Sequence, residues 1–232
     1  MKDSISIFRE LCSKFENAVR VKYGLDDTQK VFSQFSSKKE NKKFKKDIEV
    51  IGNIRNLLSH VDCKIEGKAA IEINENIIEK FKEIISYLEN PPLVTSRYIT
   101  EMFVVDLEEK LEKLIKVMNE KKISHVPVLN KDKKLVGVFS ENTIFSKLSE
   151  DEIIEIGKEY KVKDYEKYIK LENHSSEYFD FVKRNEELAL AQNLFNKSIK
   201  KDKKLVMLFV TRNGKKNEEI LGILTPWDLL DI

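Results

Sequence analysis

The 232-residue sequence has little cysteine, glycine or proline, with two, seven and four residues respectively. Cys12 and Cys63 are too few and too far apart in sequence to indicate a disulfide scaffold or a zinc site, so both are expected to be reduced thiols. No segment approaches the roughly 18 apolar residues of a membrane helix, and the first ten residues lack the apolar core of a signal peptide. We therefore expect a cytoplasmic protein that needs no metal, requires no cofactor and has no membrane partner.

The sequence also carries no large excess of positive or negative charge. The 42 Lys and Arg residues against 40 Asp and Glu residues leave a net charge of +2, so no global basic field indicates nucleic acid. The local exception is a lysine-rich run within residues 36–47. Such a run is typical of a solvated surface, or alternatively of a phosphate-binding ridge. In the second interpretation the candidate RNA contacts are Lys42, Lys43, Lys45 and Lys46.

The first 90 residues show the apolar period of three to four that is typical of helices. The pattern predicts four or five helices, the clearest of them over residues 5–23, 28–35, 44–61 and 74–88. Asn90, Pro91 and Pro92 then stop the last helix, because proline lacks a backbone donor and restricts the residue before it. The sequence therefore predicts an all-α bundle at residues 1–90 and a linker at residues 91–96.

Beyond the linker a pattern of strand, helix, strand, strand and helix occurs twice. The first copy is predicted at residues 103–105, 107–119, 125–129, 135–139 and 141–148. The second copy is predicted at residues 178–182, 186–199, 205–211, 220–224 and 226–230. A repeat of this length indicates two related domains, which we place at residues 97–148 and 176–232. The segment 149–175 between them should hold a helix at 151–160, and we assign no role to His174. The fold class expected for the whole chain is multidomain α+β.

Residues 55–60, RNLLSH, place an arginine and a histidine on a predicted helix. Histidine moves protons near neutral pH, and arginine is a fixed planar cation suited to phosphate. Five residues of helix put the two side chains roughly 140° apart, so one helix makes a poor site. Two helices packed about a two-fold axis would make a better one. The alternative is an arginine in a surface salt bridge and a histidine bonded to a carbonyl at the helix end.

R-N-x-x-S-H within a mostly helical domain resembles the HEPN superfamily. The resemblance implies a metal-independent endoribonuclease that works at a homodimer interface, in the manner of a stress or phage-defence effector. In that mechanism His60 would help to deprotonate the ribose 2′-hydroxyl, Arg55 would stabilise the charged phosphorane, and Asn56 would orient the histidine. RNA is accordingly a candidate partner.

The repeat is similar to the tandem CBS domain, or Bateman module, through KKISHVPVLNKDKKLVGVFS in the first copy and ILGILTPWDLL in the second. The family motif G-h-h-[ST]-x-x-D is complete from Gly222 to Asp228. In the first copy Gly137 and Ser140 match, but Thr143 stands where the aspartate is usual. A glycine here would let a ligand approach the backbone. Residues 125–127 match the family's h-x-P strand, whereas the second copy lacks the proline.

This resemblance implies binding of an adenine nucleotide, such as AMP, ADP, ATP or a related molecule. The candidate nucleotide-binding residues are His125, Pro127, Ser140, Thr143, Thr225 and Asp228. The two clefts should be unequal, with the better site at Thr225 and Asp228. Thr225 and Asp228 also fit a plain helix start, as a cap and a favourable charge. That alternative stays open.

Two functions follow from these patterns. The first is a nucleotide-regulated HEPN ribonuclease. The second is a non-enzymatic CBS nucleotide sensor or dimerisation module whose helical domain binds a partner protein or RNA. In either case we expect a homodimer or a higher even oligomer. The excess of Lys, Asn and Ile is typical of an AT-rich bacterial genome.

Overall fold

The structure is a computed structural model. It describes residues 3–60, 64–65, 68–69, 71–150, 159–197, 199–200 and 202–229. The chain divides into two compact units, residues 1–92 and residues 93–232. We call them the helical unit and the α/β unit, and each is described by itself.

In its described residues, the helical unit has four α-helices and a short hairpin. The elements are α1 (Ser4–Tyr23), α2 (Val31–Ser37), α3 (Lys45–His60), β1 (Lys64–Ile65), β2 (Lys68–Ala69) and α4 (Glu75–Glu89), with a 3₁₀ helix at Lys39–Phe44. Helix α1 begins where the Asp3 side chain accepts a bond from the Ser6 amide at 2.7 Å, and it ends at Gly24, whose φ of 62° suits glycine. Aromatic rings fill the core, with the Phe15 and Phe81 centroids 5.5 Å apart.

The predicted helices of this unit exist, and their starts lie within one residue of the prediction except for that of α2. Helix α2 begins at Val31 and not at residue 28, because the Asp26 side chain accepts from the Thr28 amide at 2.9 Å and holds residues 26–28 in a turn. Helix α3 is preceded by a 3₁₀ turn that ends at Phe44. Residue 61, the predicted end of α3, and Cys63 lie outside the described residues, and Cys12 is a buried free thiol.

The α/β unit contains both copies of the repeat. The first copy has α5 (Leu111–Lys121), β3 (His125–Leu129), β4 (Leu135–Ser140) and α6 (Glu141–Glu150). After α7 (Glu166–Ile169), the second copy has β5 (Glu177–Lys183), α8 (Leu188–Asn196), β6 (Ile199–Lys200), β7 (Lys203–Thr211) and β8 (Gly222–Leu224). Strands β3 and β4 form an antiparallel pair, while β7 pairs parallel with β5 and antiparallel with β6 and β8.

The predicted strand at residues 103–105 is wrong as a strand, and Pro127 explains why. Only Val105 pairs, in a parallel bridge with Val128: its amide donates to the Pro127 carbonyl at 3.1 Å, and its carbonyl accepts from the Leu129 amide at 2.8 Å. The next bond of a parallel ladder would need the amide of residue 127, which proline lacks. In the second copy Phe209 occupies the equivalent position, and β5 pairs along seven residues.

Other predicted elements of this unit also differ from the structure. Helix α5 begins at Leu111 and not at residue 107, because the Asp106 side chain accepts from the Glu108 amide at 2.8 Å in a turn. Ile199, predicted in a helix, lies in the short strand β6. The predicted final helix at residues 226–230 is a 3₁₀ turn over Pro226–Leu229. Of the predicted helix at 151–160, residues 151–158 lie outside the described part of the chain.

The connecting segments tie the two copies together. Residues 93–99, which include part of the predicted linker, pack on the second copy: the Val94 amide donates to the Glu186 carbonyl, and Ile99 exchanges two backbone bonds with Ile223 at 2.9 and 3.1 Å. The segment after α6 packs on the first copy, where the Val162 amide donates to the Glu109 carbonyl at 3.0 Å. Each copy is thus completed by the segment that comes before the other copy.

Candidate functional site

The most densely bonded side chain in the described part of the α/β unit is Glu177, at the start of β5. Its carboxylate is buried, with 5% of the side chain exposed. Four side chains donate to it or share a proton with it. They are Ser140 (2.7 Å) and His174 (2.8 Å) on Oε1, and His125 (2.9 Å) and Asn142 (3.0 Å) on Oε2. We call this group the seam cluster, because it joins strands β3 and β4 and helix α6 of the first copy to strand β5 of the second.

The two histidines of the seam cluster are anchored on both sides. The Nδ1 atom of His125 lies 2.8 Å from the Ser124 hydroxyl, while Nε2 of His174 lies 3.4 Å from the Ile169 carbonyl. His174 is 2% exposed, and Lys203 donates from its ammonium to the His174 carbonyl. The sequence analysis left His174 without a role. The structure places it inside the cluster as a partner of Glu177.

The electrostatics of the seam cluster favour an ionised carboxylate. Burial raises the pKa of Glu177, but the hydrogen bonds from His125, His174 and Ser140 outweigh it and hold that pKa well below its usual range. The carboxylate is therefore charged under all ordinary conditions. A buried charge of this kind is tolerated because each of its two oxygens has two donors.

The structure buries three of the four predicted nucleotide-binding residues of the first copy and leaves His125 partly exposed. Ser140 and Thr143 are each 1% exposed, and the Ser140 amide donates to the Thr143 hydroxyl at 2.9 Å. Pro127 is buried inside β3. His125 points its Nε2 atom at Glu177. Of these predicted residues, His125 and Ser140 come together around the chain's own carboxylate, and Thr143 joins them only through its bond to Ser140.

The second copy is arranged differently at the matching positions. The Thr225 amide and hydroxyl both donate to the same Asp228 oxygen, Oδ2, at 2.6 and 2.8 Å. Thr225 and Asp228 are each partly exposed, and the neighbouring Trp227 is 80% exposed. The two predicted residues therefore do meet, in a capping arrangement. The second carboxylate oxygen, Oδ1, makes no hydrogen bond to the described residues.

The motif glycines serve packing within the chain. A Cβ atom on Gly137 would lie 2.3 Å from the backbone oxygen of Ile169, and one on Gly222 would lie 2.2 Å from the Tyr98 ring and 2.6 Å from the Ile99 oxygen. Those contacts are far shorter than van der Waals separation. The glycines therefore admit the two connecting segments, in the space that the sequence analysis gave to a ligand.

In the helical unit, Arg55 is paired with an acid. Its Nε and Nη2 atoms lie 3.2 and 3.1 Å from Oε1 of Glu16, and its Nη1 atom donates to Asn56 Oδ1 at 3.4 Å. The Arg55 side chain is 43% exposed. Arg55 thus contacts Asn56 and has a carboxylate beside its guanidinium. The side chain of His60 lies outside the described residues.

The four predicted RNA-binding lysines are all exposed. Lys42 and Lys43 end the 3₁₀ helix, and Lys45 and Lys46 begin α3. The Lys43 ammonium lies 4.3 Å from the Tyr87 ring centroid, a cation–π contact. Cations in the first turn of a helix oppose its dipole, so helix stability alone does not account for them.

Three residues of the seam cluster escaped the sequence analysis: Asn142, His174 and Glu177. Each is a single polar residue outside any motif, and the loop or helix end that carries it gives no sign of its partner. Glu177 falls directly before the apolar run YFDFV of β5. A charged residue at that place in a predicted strand is a weak signal, since most such residues face solvent.

Residues 94–150 match the model of the CBS domain family, so this part of the chain is a CBS domain. Among curated proteins no match is found. None of the helices in the described residues has the length and apolar composition needed to span a membrane. The same residues contain no cluster of three or more His, Cys, Asp or Glu placed to hold a metal ion.

Solved structures similar to the chain include three CBS proteins. CBSX2 in complex with AMP is 22% identical over 60% of this chain and 93% of its own, with a TM-score of 0.41. A CBS domain-containing protein of unknown function from Bacillus anthracis is 20% identical over 60% and 89%, with a TM-score of 0.42. The CBS domain pair of protein MJ0100, in complex with 5′-methylthioadenosine and S-adenosyl-L-methionine, is 14% identical over 60% and 93%, with a TM-score of 0.39.

Proposed function

We propose that the α/β unit is a CBS domain pair that binds one adenine nucleotide, at Thr225 and Asp228, and that the helical unit is the part it regulates. The observation that carries the proposal is the contrast between the two copies. Asp228 is partly exposed and keeps one carboxylate oxygen without a bond to the described residues, whereas Ser140 and Thr143 are buried and already bonded. The resemblance between the copies extends the CBS assignment from residues 94–150 to the second copy.

The chemistry at Asp228 suits a ribose. A carboxylate oxygen accepts hydrogen bonds from the two ribose hydroxyls, and the Thr225 hydroxyl fixes the carboxylate by bonding its other oxygen. Trp227, largely exposed beside it, offers an aromatic face for a purine ring. A site with these features takes a nucleoside, and the nucleoside could carry one or more phosphates.

Arg97 is the cation that we assign to the phosphate. It is exposed, and its guanidinium makes no hydrogen bond or ion pair in the described part of the chain; only its backbone amide is bonded, to the Val94 carbonyl. Ile99 and Ile223 pair antiparallel. Arg97 precedes Ile99 by two residues and Thr225 follows Ile223 by two, so both lie at the same end of this bridge. A planar guanidinium near Thr225 would bind a phosphate group in two-point fashion.

The proposal predicts the effect of Asp228→Asn. The asparagine oxygen can still accept from the Thr225 amide and hydroxyl, and Asn caps as well as Asp, so the melting temperature should change by less than about 2 °C. The amide that replaces Oδ1 is a donor, however, and cannot accept from ribose. We expect the affinity for AMP, measured by calorimetry, to fall at least tenfold, about 1.4 kcal/mol.

Asp132→Asn is the matched control, because it makes the same charge change on an exposed turn of the first copy. It should bind AMP as the wild type does. S-adenosylmethionine and ATP are the further probes. If the wild-type protein binds none of the three, or if Asp228→Asn binds AMP with unchanged affinity, the proposed site is wrong and the pair is a scaffold.

A second candidate, the metal-independent ribonuclease, concerns the helical unit. The observation in its favour is that Arg55 is partly exposed on α3 and that its Nη1 atom donates to Asn56 Oδ1, so both side chains are accessible at one surface. Glu16 counts against it, because it already neutralises the guanidinium. For cleavage, a phosphate would have to displace or share this contact. The exposed lysines at the other end of α3 would hold the RNA by its backbone.

The ribonuclease proposal predicts cleavage of single-stranded RNA in the presence of EDTA, with a 2′,3′-cyclic phosphate product. Arg55→Ala and His60→Ala should each reduce the rate at least 100-fold, because they remove the cation and the proton-transfer group. Arg9→Ala is the control: Arg9 also contacts α3, donating to the Leu58 carbonyl at 3.1 Å, but lies outside the motif. The ribonuclease proposal is wrong if Arg55→Ala cleaves RNA as fast as the wild type, or if the wild type does not cleave RNA with or without AMP. The helical unit would then be a binding module.

A further inference from the structure

The donors of the seam cluster form the kind of site that binds an anion. Ser140 offers a hydroxyl, Asn142 an amide, and His125 and His174 ring nitrogens, all within 3.0 Å of one buried carboxylate. They come from two strands, a helix and a loop, so local structure does not force them together. Glu177 brings the matching charge from the second copy.

We infer that the first-copy cleft is an anion site that the chain fills with its own carboxylate, that of Glu177. The ligand class of the empty site would be a small oxyanion, a carboxylate or a phosphate. While Glu177 is in place, a nucleotide phosphate meets a buried negative charge there and no donor left to bind it. The first copy therefore takes no anionic ligand, and its donors serve to fasten the two copies together.

Three features support an anion site over an ordinary buried hydrogen bond. The donors outnumber those of a single salt bridge, with two on each carboxylate oxygen. Ser140 and His174 are 1% and 2% exposed, so water does not replace a missing acceptor without entering the core. Positive charge also lies close to the cluster, because the Lys203 ammonium donates to the His174 carbonyl. Removing the carboxylate alone would leave these donors facing an empty, electropositive space.

The test is chemical rescue of Glu177→Ala. Loss of the carboxylate should lower the melting temperature of the α/β unit by about 8 °C, because several buried donors lose their acceptor. Sodium acetate or formate should restore at least half of this loss in a saturable manner, since either anion fits the space that the side chain leaves. Sodium chloride at equal ionic strength corrects for general salt effects. Inorganic phosphate is the second probe.

Glu177→Gln and Glu172→Ala are the controls. Glutamine lacks the charge, so the melting temperature of Glu177→Gln should fall below that of the wild type. Because its side chain still fills the space, this variant should respond to acetate no more than the wild type does. Glu172 is an exposed acid in the same connecting segment, and its loss should change neither stability nor anion response. An acetate response of Glu177→Ala no larger than that of Glu177→Gln would overturn the inference. So would a melting temperature of Glu177→Ala equal to that of the wild type.

If Glu177→Ala does not fold in dilute buffer, Glu177→Gln keeps the inference testable through pH. The pKa of Glu177 is held below its usual range, so the carboxylate stabilises the folded chain above the unfolded pKa of about 4.3, and this stabilisation is lost as the pH falls below it. The difference in melting temperature between wild type and Glu177→Gln should therefore shrink from pH 6 to pH 3. A constant difference would contradict a charged Glu177. The inference does not depend on nucleotide binding at Asp228, because acetate rescue and AMP binding are measured at different copies.

Discussion

Replacing Gly137 by alanine is expected to lower the free energy of unfolding of the α/β unit by about 3 kcal/mol, near the upper end for overpacking. The added Cβ would lie 2.3 Å from the Ile169 backbone oxygen and 2.8 Å from its carbonyl carbon. Backbone atoms cannot rotate away as a side chain can, so the connecting segment must shift. Denaturant unfolding followed by far-ultraviolet circular dichroism measures this effect, because the helices and strands lose their signal when the chain unfolds.

Gly52→Ala is the matched control. Gly52 lies inside α3, and a Cβ there would meet only the Phe32 side chain, at 3.4 Å. Alanine favours helix over glycine by about 1 kcal/mol, so this variant should be neutral or slightly more stable. Gly222→Ala should resemble Gly137→Ala, because Ile99 approaches Gly222 in the second copy. If Gly137→Ala and Gly222→Ala are both as stable as the wild type, the connecting segments do not occupy the space beside these two glycines.

The second large effect is expected for Val94→Asp. Val94 is fully buried in the core of the second copy, beside Leu188 and Leu224, although it lies in the predicted linker. An unpaired carboxylate there should destabilise the unit by at least about 3 kcal/mol. The melting temperature and the urea midpoint of the full chain measure the loss. Such a result would show that the segment before the first copy completes the second copy.

Thr95→Asp makes the same kind of change one residue later, at an exposed position. It should alter the free energy of unfolding by no more than about 0.5 kcal/mol. Equal effects of the two substitutions would mean that charge in this segment matters and burial does not. If neither variant loses stability, residues 93–96 act as a free linker, as the sequence analysis placed them.

These two predictions bear on function through the clefts. The connecting segments occupy the space beside the motif glycines, and Glu177 occupies the donors of the first copy. In the proposed function, the nucleotide would bind at the edge of the second copy, where Trp227 and Arg97 are exposed and Asp228 is partly exposed. A binding site made from two exposed segments can respond to a ligand by a change in how those segments pack. The helical unit would then be regulated by differences in ligand affinity between two arrangements of the α/β unit.

The sequence by itself determined the elements and the repeat. Apolar spacing is a local property, so it placed α1, α4 and the strands β3 and β4 within one or two residues. The turn chemistry of Asp26 and Asp106 was also present in the sequence, and it explains the late helix starts. Pro127 was quoted as a motif residue. The amide that Pro127 lacks is likewise a property of the sequence, and it explains why the adjoining strand is reduced to a single bridge.

Only the tertiary structure decided what the motif residues contact. Glu177 and Ser140 are 37 residues apart, and nothing local to either one specifies the other. The same holds for Arg55 and Glu16, 39 residues apart. Long-range pairs depend on how the connecting segments cross between the copies or helices, which is set by the packing of a whole core. For that reason the repeat could be predicted from one sequence, whereas the self-filled cleft of the first copy could not.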